Sequence, residues 1–280
     1  MEIYSTSRSK IDFGTVKYLL KLQSGELIES VFLPFKRGEI CVSSQVGCIV
    51  NCLFCSTGKA GFVRNLSTKE IVDQVVLIKK DLSIEVNSVT FMGMGEPLLN
   101  YSNVKAAINQ IRKNLKVKRI RLATVGIVPK MYELADDQLD VELFVSLHAS
   151  NDKQRQKIIP NNKYKISEIF EALDYISKKD SKMMNIYYNL INGFNNNDSD
   201  ITRLTELIGN RPIVIYLKKI CGKHKEFKKA SILDLQKFRK KLDKNNIASF
   251  IMVSSGEDIA AGCGQLKHKI ESENTNKMLR

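Results

Sequence analysis

The stretch Cys48-Ile49-Val50-Asn51-Cys52-Leu53-Phe54-Cys55 places three cysteines at the spacing C-x3-C-x2-C. Thiolates hold iron-sulfur clusters, and a four-iron cluster bound by only three of them keeps one iron open for another ligand. A structural zinc site needs four closed ligands, usually in paired Cys or His spacings, and no second pair follows here. Cys41 is a candidate fourth zinc ligand, and three unrelated buried cysteines are the remaining alternative. The spacing favours an iron-sulfur cluster held by Cys48, Cys52 and Cys55.

Strands and helices alternate after this stretch. The residues rich in β-branched side chains predict strands at 86–92, 120–125, 141–147, 185–191, 213–220 and 248–253. Amphipathic helices separate them, and Ser67 with Glu70 forms a capping box at the start of the first. Upstream, residues 16–22 and 27–33 flank a Ser24-Gly25 turn and predict a β-hairpin. The alternation indicates parallel βαβ units in one domain, arranged as an open sheet or an α/β barrel with its active site at the carboxyl ends of the strands.

Positive charge exceeds negative charge, with 44 Lys and Arg against 30 Asp and Glu in 280 residues and a formal net charge of +14. Two basic clusters concentrate the excess. The first comprises Lys105, Arg112, Lys113, Lys116, Lys118, Arg119 and Arg121, and the second comprises Lys218, Lys219, Lys223, Lys225, Lys228 and Lys229. A field of one sign attracts polyanions, so we expect nucleic acid as a partner. The alternative is a solvated, lysine-rich surface.

The sequence contains no signal for secretion or for a membrane. Residues 1–13 are polar, and no run of about 18 apolar residues occurs. We therefore expect a cytoplasmic protein without a membrane partner. In a reducing compartment, six cysteines indicate metal or redox chemistry rather than structural disulfides.

Several motifs together resemble the radical SAM superfamily and, within it, the RlmN/Cfr family of RNA adenine methyltransferases. They lie at residues 41–48 (CVSSQVGC), 54–59 (FCSTGK), 93–100 (GMGEPLLN), 146–149 (SLHA) and 256–266 (GEDIAAGCGQL). The resemblance covers residues 17–266. It implies an α/β fold, a partial (β/α)6 radical SAM barrel with a short N-terminal β-hairpin extension. The expected domains are the hairpin extension at 1–35, the barrel at 36–266 and a basic tail at 267–280.

The resemblance also implies cofactors, partners and roles for further residues. One 4Fe-4S cluster binds S-adenosyl-L-methionine at its open iron, and reductive cleavage there gives a 5'-deoxyadenosyl radical. Cys263 would carry a methyl group that is then added to an adenine carbon, with carbon 2 expected, in ribosomal RNA, transfer RNA or both. Cys41 would release the product through a transient disulfide with Cys263, and Glu29 would accept a proton. A reductant such as flavodoxin or ferredoxin and a monomeric state are also expected. Taken alone, each of these two cysteines is otherwise a small buried apolar residue, and Glu29 a solvated carboxylate.

The same resemblance assigns contacts with S-adenosylmethionine to residues that follow two of the strands. They are Gly95 and Glu96 after the second barrel strand, and Ser146, Leu147 and His148 at the end of the fourth. A glycine permits close backbone approach to a ligand, and a glutamate offers a carboxylate to an amino group. An ordinary strand end with satisfied polar groups is the alternative at both places.

The sequence departs from the family at several positions. The family has an accessory N-terminal helical domain with no counterpart in these 280 residues. Ala123 replaces a serine, Cys221 replaces a cofactor-contacting asparagine, and Ser255 replaces a basic residue. These departures concern the RNA and cofactor contacts rather than the cysteines. Two alternatives therefore stay open, namely another radical SAM activity on a different substrate and a non-catalytic remnant that binds RNA or metal.

Overall fold

One sheet contains most of the strands of this computed structural model, which describes residues 1–12, 14–34, 38–180, 183–222 and 226–266. The strands are β1 (Glu2–Arg8), β2 (Val16–Lys21), β3 (Leu27–Leu33), β4 (Glu39–Val42), β5 (Gln45–Gly47), β6 (Phe62–Asn65), β7 (Ser88–Phe91), β8 (Arg119–Thr124), β9 (Glu142–Ser146), β10 (Met184–Asn192), β11 (Ile213–Lys219), β12 (Lys228–Lys229) and β13 (Ser249–Ile251). The helices are α1 (Ser56–Lys59), α2 (Thr68–Leu82), α3 (Tyr101–Leu115), α4 (Val128–Asp136), α5 (Asp152–Ile158), α6 (Ile166–Asp180), α7 (Asp198–Ile208) and α8 (Ile232–Lys244), with 3-10 helices at Pro97–Asn100 and Glu257–Ile259.

The sheet has the strand order β1-β2-β3-β4-β7-β8-β9-β10-β11-β13. Strands β1 to β4 pair antiparallel, and every pair from β4 to β13 along this order is parallel. Helices connect the successive parallel strands, because a parallel pair needs a long crossover. The sheet ends at β1 and β13 rather than closing. The predicted partial barrel is confirmed, and its parallel strands are the six predicted ones together with β4.

The N-terminal extension is larger than the predicted hairpin. Strands β2 and β3 occupy the predicted positions, and β1 pairs with β2 to make a three-stranded antiparallel meander. The sequence of β1 conceals it, because all but one of its residues are exposed and no apolar alternation marks a buried face. Backbone pairing with an edge strand stabilises β1 without such a face.

Helix α2 begins where the sequence predicts. In the capping box of α2, Glu70 N donates to Ser67 Oγ at 3.2 Å and Ser67 N donates to Glu70 Oε2 at 2.8 Å. Ser231 and Asp234 form the same motif at the start of α8. These caps satisfy backbone donors that the first turn of a helix leaves without partners.

The core has one large part between sheet and helices and a smaller part around the cysteine stretch. The smaller core contains Val50, Phe54, Ala149, Ile158, Ile159, Ile191 and Ile220. The boundary at residue 35 and the tail at 267–280 lie outside the described residues, so the predicted domain division stays a prediction. In the described part of the chain, no helix is both long and apolar enough to cross a bilayer.

Candidate active site

A cleft of about 200 Å³, open to solvent, lies at the carboxyl ends of the parallel strands. Five of the six cysteines line it, namely Cys41, Cys48, Cys52, Cys55 and Cys263. They come from strand β4, from the loop after β5 and from the loop after β13. The fold therefore brings together residues that the sequence separates by more than 200 positions.

Backbone hydrogen bonds fix the loop that carries Cys48, Cys52 and Cys55, which we call the cluster loop (residues 48–55). Cys48 N donates to Gly61 O at 2.8 Å, and Leu53 N donates to Ile158 O at 3.0 Å. At the entrance of the loop, Gly47 has a φ of 79°, and a Cβ there would lie 1.8 Å from Gly61 O. Only glycine fits this approach, which holds the first cysteine against the β5–β6 hairpin.

Burial dominates the electrostatics of the cluster loop. Burial raises the pKa of the Cys48 thiol to about 12, and burial with the neighbouring thiols raises the pKa of Cys52 well above its usual value. Near Cys52 lies the fully buried Arg155, whose Nε donates to Leu147 O at 3.2 Å and whose Nη1 has no hydrogen-bond partner. Metal binding deprotonates a thiol outright, so bound iron would give these sulfurs the negative charge that a buried cation complements. The donor set therefore fits a thiolate-bound cluster.

The arrangement does not fit a single metal ion. Among the residues described, no three His, Cys, Asp or Glu side chains converge on a point where one ion would bind. A zinc ion needs all its sulfur ligands at about 2.3 Å from one centre. A four-iron cluster spreads its thiolates over different irons, so its ligands stand further apart. The geometry favours the iron-sulfur prediction over the zinc alternative.

The loop that carries Cys263 is tied directly to the cluster loop. Ser56 N donates to Gly264 O at 2.7 Å, and Thr57 Oγ1 donates to Leu266 O at 2.5 Å. Cys263 itself is exposed in the cleft. Its Sγ accepts a hydrogen bond from Lys218 Nζ at 2.7 Å and lies 4.0 Å from Met92 Sδ.

Cys41 lies on the cleft side of the sheet, on β4, where it pairs with Val31 of β3 and Thr90 of β7. Cys41 is partly exposed and Cys263 is exposed, and neither of them forms a disulfide. The structure thus gives no support to the predicted disulfide, although both thiols line one cleft. Their roles stay predictions.

Glu29 lies apart from the residues that line the cleft. Its side chain is buried on β3, and Lys17 Nζ lies 3.0 Å from its Oε1. Its carbonyl oxygen accepts from Ser43 Oγ at 2.6 Å. The alternative of a solvated carboxylate is wrong, because the carboxylate is buried and paired. The proton-acceptor role stays a prediction.

Gly95 and Glu96 turn the chain back at the rim of the cleft. Gly95 has a φ of 102°, and a Cβ there would lie 2.6 Å from Gln45 Cβ. The Glu96 carboxylate accepts from Thr124 Oγ1 at 2.7 Å, Val125 N at 2.8 Å and Leu98 N at 3.0 Å. Burial raises the pKa of Glu96 to about 7. Glu96 lines the cleft and also fastens the loop after β7 to the end of β8.

Ser146 and His148 line the cleft, whereas the Leu147 side chain is fully buried in the main core. His148 has a φ of 58°, and its Nδ1 accepts from Asn189 N at 3.0 Å. Its ring meets that of Phe54 edge to face at 5.0 Å. Burial lowers the pKa of His148 to about 3, so the imidazole is neutral. Leu147 can face a ligand only through its backbone.

The two basic clusters lie at opposite ends of the barrel. The first spans the C-terminal part of α3 and the start of β8, away from the cleft. There Lys105 binds Asp137 at 2.6 Å, Arg112 binds Asp140 at 3.0 Å, and Arg121 is buried between Glu39 and Glu142. Carboxylates therefore neutralise much of the first cluster.

The second basic cluster follows the carboxyl end of β11, at the cleft. Lys218 is buried inside it, and Lys219 binds Glu257 at 3.1 Å. Lys228 and Lys229 form the exposed strand β12, which pairs with the last residues of β10. Lys223 and Lys225 lie outside the described residues.

Several residues of the cleft were not predicted as site residues from the sequence, including Glu39, Tyr187, Asn189 and Lys218. For Lys218 a signal existed, because strand alternation puts it on the same face as Val214 and Tyr216. Of the three positions at which the sequence departs from the family, Ala123 and Ser255 line the cleft. Cys221 is buried beside it, with Sγ 3.1 Å from Ser254 Oγ.

This chain is similar in sequence and in structure to radical SAM proteins. The Radical SAM superfamily model matches residues 42–208. A probable dual-specificity RNA methyltransferase RlmN of Dictyoglomus thermophilum is 42% identical over 265 residues, which cover 91% of this chain and 76% of that relative. The protein of the same name from Clostridioides difficile is 40% identical over 93% of this chain and 78% of its own length. The crystal structure of a radical SAM methyltransferase from Sphaerobacter thermophilus matches with a TM-score of 0.88 at 32% identity, over 95% of this chain and 82% of that one.

Proposed function

The chain belongs to the radical SAM superfamily and, within it, to the RlmN family, and on that premise we propose that it methylates an adenine carbon of ribosomal RNA, transfer RNA or both. Carbon 2 is the proposed position. The reaction uses S-adenosyl-L-methionine and one 4Fe-4S cluster.

The convergence of five cysteines in one cleft carries this proposal. Three of them belong to the short cluster loop, where a cluster needs thiolates. The other two, Cys41 and Cys263, line the same cleft from different elements, as a covalent carrier and its partner thiol require. A simple cluster-binding or RNA-binding remnant needs only one of these sets.

Different residues of the cleft bind the cluster and S-adenosylmethionine. Cys48, Cys52 and Cys55 hold the cluster, which when bound supplies the electron that cleaves S-adenosylmethionine. Gly95, Glu96, Ser146 and His148, with the Leu147 backbone, bind the methionine and nucleoside parts of S-adenosylmethionine.

The carbon transfer then depends on Cys263 and Cys41. Cys263 receives a methyl group, and the 5'-deoxyadenosyl radical would take a hydrogen atom from it. The remaining methylene carbon bonds to the adenine, which gives a covalent link between protein and RNA, and the unpaired electron of this adduct would return to the cluster. Glu29 accepts the proton that leaves the adenine. Cys41 attacks the Cys263 sulfur, and the bond from that sulfur to the methylene carbon breaks with its electron pair left on the RNA, where a proton completes the new methyl group. A cellular thiol reopens the resulting disulfide by exchange.

The RNA reaches the cleft over the second basic cluster, in the cytoplasm. Lys228 and Lys229 are exposed at the same end of the barrel as Cys263. Phosphates neutralised there release counterions, so binding weakens as salt rises. A small electron-transfer protein such as flavodoxin or ferredoxin reduces the cluster, and the protein acts as a monomer.

The test is the variant Cys263→Ala, assayed anaerobically on ribosomal and transfer RNA with mass-spectrometric mapping of methyladenosines. We expect methylation to fall to background while the iron content stays at about four per chain. Methyladenosine produced at the normal rate by this variant contradicts the carrier role. Deoxyadenosine formation by the unaltered protein without any methyladenosine favours a different substrate.

A further inference from the structure

Lys218 stands out among the lysines because it is buried within the cleft. It is only 3% exposed, and its Nζ lies 2.7 Å from the sulfur of Cys263. The same Nζ lies 4.9 Å from the centre of the Tyr187 ring. Lysines rarely lose their water in this way, because an ammonium is costly to bury without a compensating charge.

The position of Lys218 follows from its strand. Strand alternation directs Val214, Tyr216 and Lys218 to one face of β11, and the Tyr216 ring packs against the Phe144 ring of β9. Within the described part of the chain, no carboxylate lies within salt-bridge distance of Lys218. The group that accepts its hydrogen bond is the Cys263 thiol, which can become an anion.

The other groups around Cys263 are neutral or paired with an opposite charge. Burial raises the pKa of Tyr187, on β10, well above its usual value, so its phenol stays neutral. Burial also raises the pKa of Cys221, after the end of β11. Met92, after β7, is uncharged, Glu39 is paired with Arg121, and Glu257 binds Lys219 at 3.1 Å. Lys218 is the charged side chain that donates a hydrogen bond to the Cys263 sulfur.

We propose that Lys218 is a catalytic residue that holds Cys263 as a thiolate, ready to accept the methyl group. Nζ stays an ammonium, and the proton of the exposed thiol passes to solvent in the cleft. The sulfur then donates an electron pair to the methyl carbon of S-adenosylmethionine, and a new carbon-sulfur bond forms. The bond from that carbon to the sulfonium breaks, and its electron pair stays on the departing S-adenosylhomocysteine. A thiolate, not a thiol, is the nucleophile, and a neighbouring lysine lowers a thiol pKa.

This inference rests on the proposed function for its biological meaning, but its test does not need RNA or turnover. The cluster-loaded protein is treated anaerobically with iodoacetamide across a series of pH values. Peptide mass spectrometry then follows the alkylation of Cys263 alone, and it separates by mass any peptide that already carries a methyl group. Iodoacetamide is uncharged, so the lysine affects the rate through the thiol rather than through the reagent.

We expect the unaltered Cys263 to react with a midpoint at least about one pH unit below the ordinary thiol value of about 8.5. Lys218→Met should raise this midpoint by about one unit or more and slow the reaction at neutral pH by about 10-fold. Lys218→Arg keeps the positive charge and should retain most of the shift. Lys113→Met is the matched control, because this exposed lysine of α3 lies at the opposite end of the barrel from Cys263, and the profile of this variant should match that of the unaltered protein.

Two results would overturn the proposal. One is a Lys218→Met profile that matches the unaltered protein. The other needs no variant: an unaltered Cys263 whose midpoint lies at or above the ordinary value, which decides the question even if Lys218→Met does not fold. If RNA methylation is absent while the alkylation profile behaves as expected, the proposed function fails and the Lys218 assignment stands.

Discussion

The two sides of the cleft give the same residue type two different environments. On one side, which we call the cluster wall (Cys48, Cys52, Cys55, Phe54 and His148), burial keeps the thiols of Cys48 and Cys52 and the imidazole of His148 in their neutral forms. On the other side, the carrier wall (Lys218 and Cys263), the thiol is exposed and contacts a buried ammonium.

The difference teaches how one cleft can use cysteine as a ligand and as a nucleophile. A thiol with a raised pKa is a poor nucleophile in water, so the buried thiols of Cys48 and Cys52 resist alkylation and remain available as metal ligands. An exposed thiol beside a cation reacts readily. The environment of each cysteine, rather than the residue type, therefore separates the two roles.

Removing a sulfur from the cluster wall should have the largest effect. We expect Cys52→Ala to reduce the iron content after anaerobic reconstitution from about four per chain to less than about one, and to abolish the cleavage of S-adenosylmethionine. Iron analysis and visible absorption measure the loss. The matched control is Cys221→Ser, a buried cysteine that does not line the cleft, whose iron content should stay unchanged. Full iron content in Cys52→Ala would contradict the assignment of Cys52 as a cluster ligand.

Acid should weaken the cluster wall through His148. Because burial lowers the pKa of His148 from 6.5 to about 3, only the unfolded imidazole binds a proton between these values. The stability that the neutral ring provides is therefore complete above about pH 6.5 and is lost as the pH falls towards 3. His148→Asn keeps a side-chain acceptor and a residue that tolerates the positive φ.

In urea unfolding of the iron-free protein, the variant should lose less stability than the unaltered protein between about pH 7.5 and pH 4, by on the order of 3 kcal/mol. Each protein serves as its own reference at the higher pH, which separates titration from altered packing. Parallel losses in both proteins would mean that His148 titrates normally.

Substitution of the exposed lysines near the carrier wall should have the smallest effect, and it should change RNA binding alone. The double variant Lys228→Ala/Lys229→Ala should weaken RNA binding by about 10-fold and reduce the slope of log K against log salt by about 2. Lys113→Ala/Lys118→Ala, at the opposite end of the barrel, is the matched control and should change little. Equal losses in the two pairs would place the RNA elsewhere. Filter binding at several salt concentrations measures both.

Much of the fold was predictable because its signals are local. The six predicted strands and the hairpin coincide with β2, β3, β7, β8, β9, β10, β11 and β13. Strand β1 was missed because its polar residues pair through the backbone and leave no apolar pattern. Among the site residues, the cleft lining includes all the predicted cysteines but omits Glu29 and Leu147. Which face of a strand a residue occupies follows from alternation, but how far along that strand a cleft extends does not.

By itself, the sequence determined the ligand set of the cluster loop, since three cysteines at C-x3-C-x2-C spacing must lie near each other whatever the rest of the chain does. It also determined the helix starts and the βαβ alternation. The contact between Lys218 and Cys263 arises from the tertiary structure, because the two residues are 45 positions apart and β12, α8, β13 and a 3-10 helix lie between them. The sequence shows that residue 218 is a lysine, but its desolvation and its contact with Cys263 arise only when the strands assemble into the sheet.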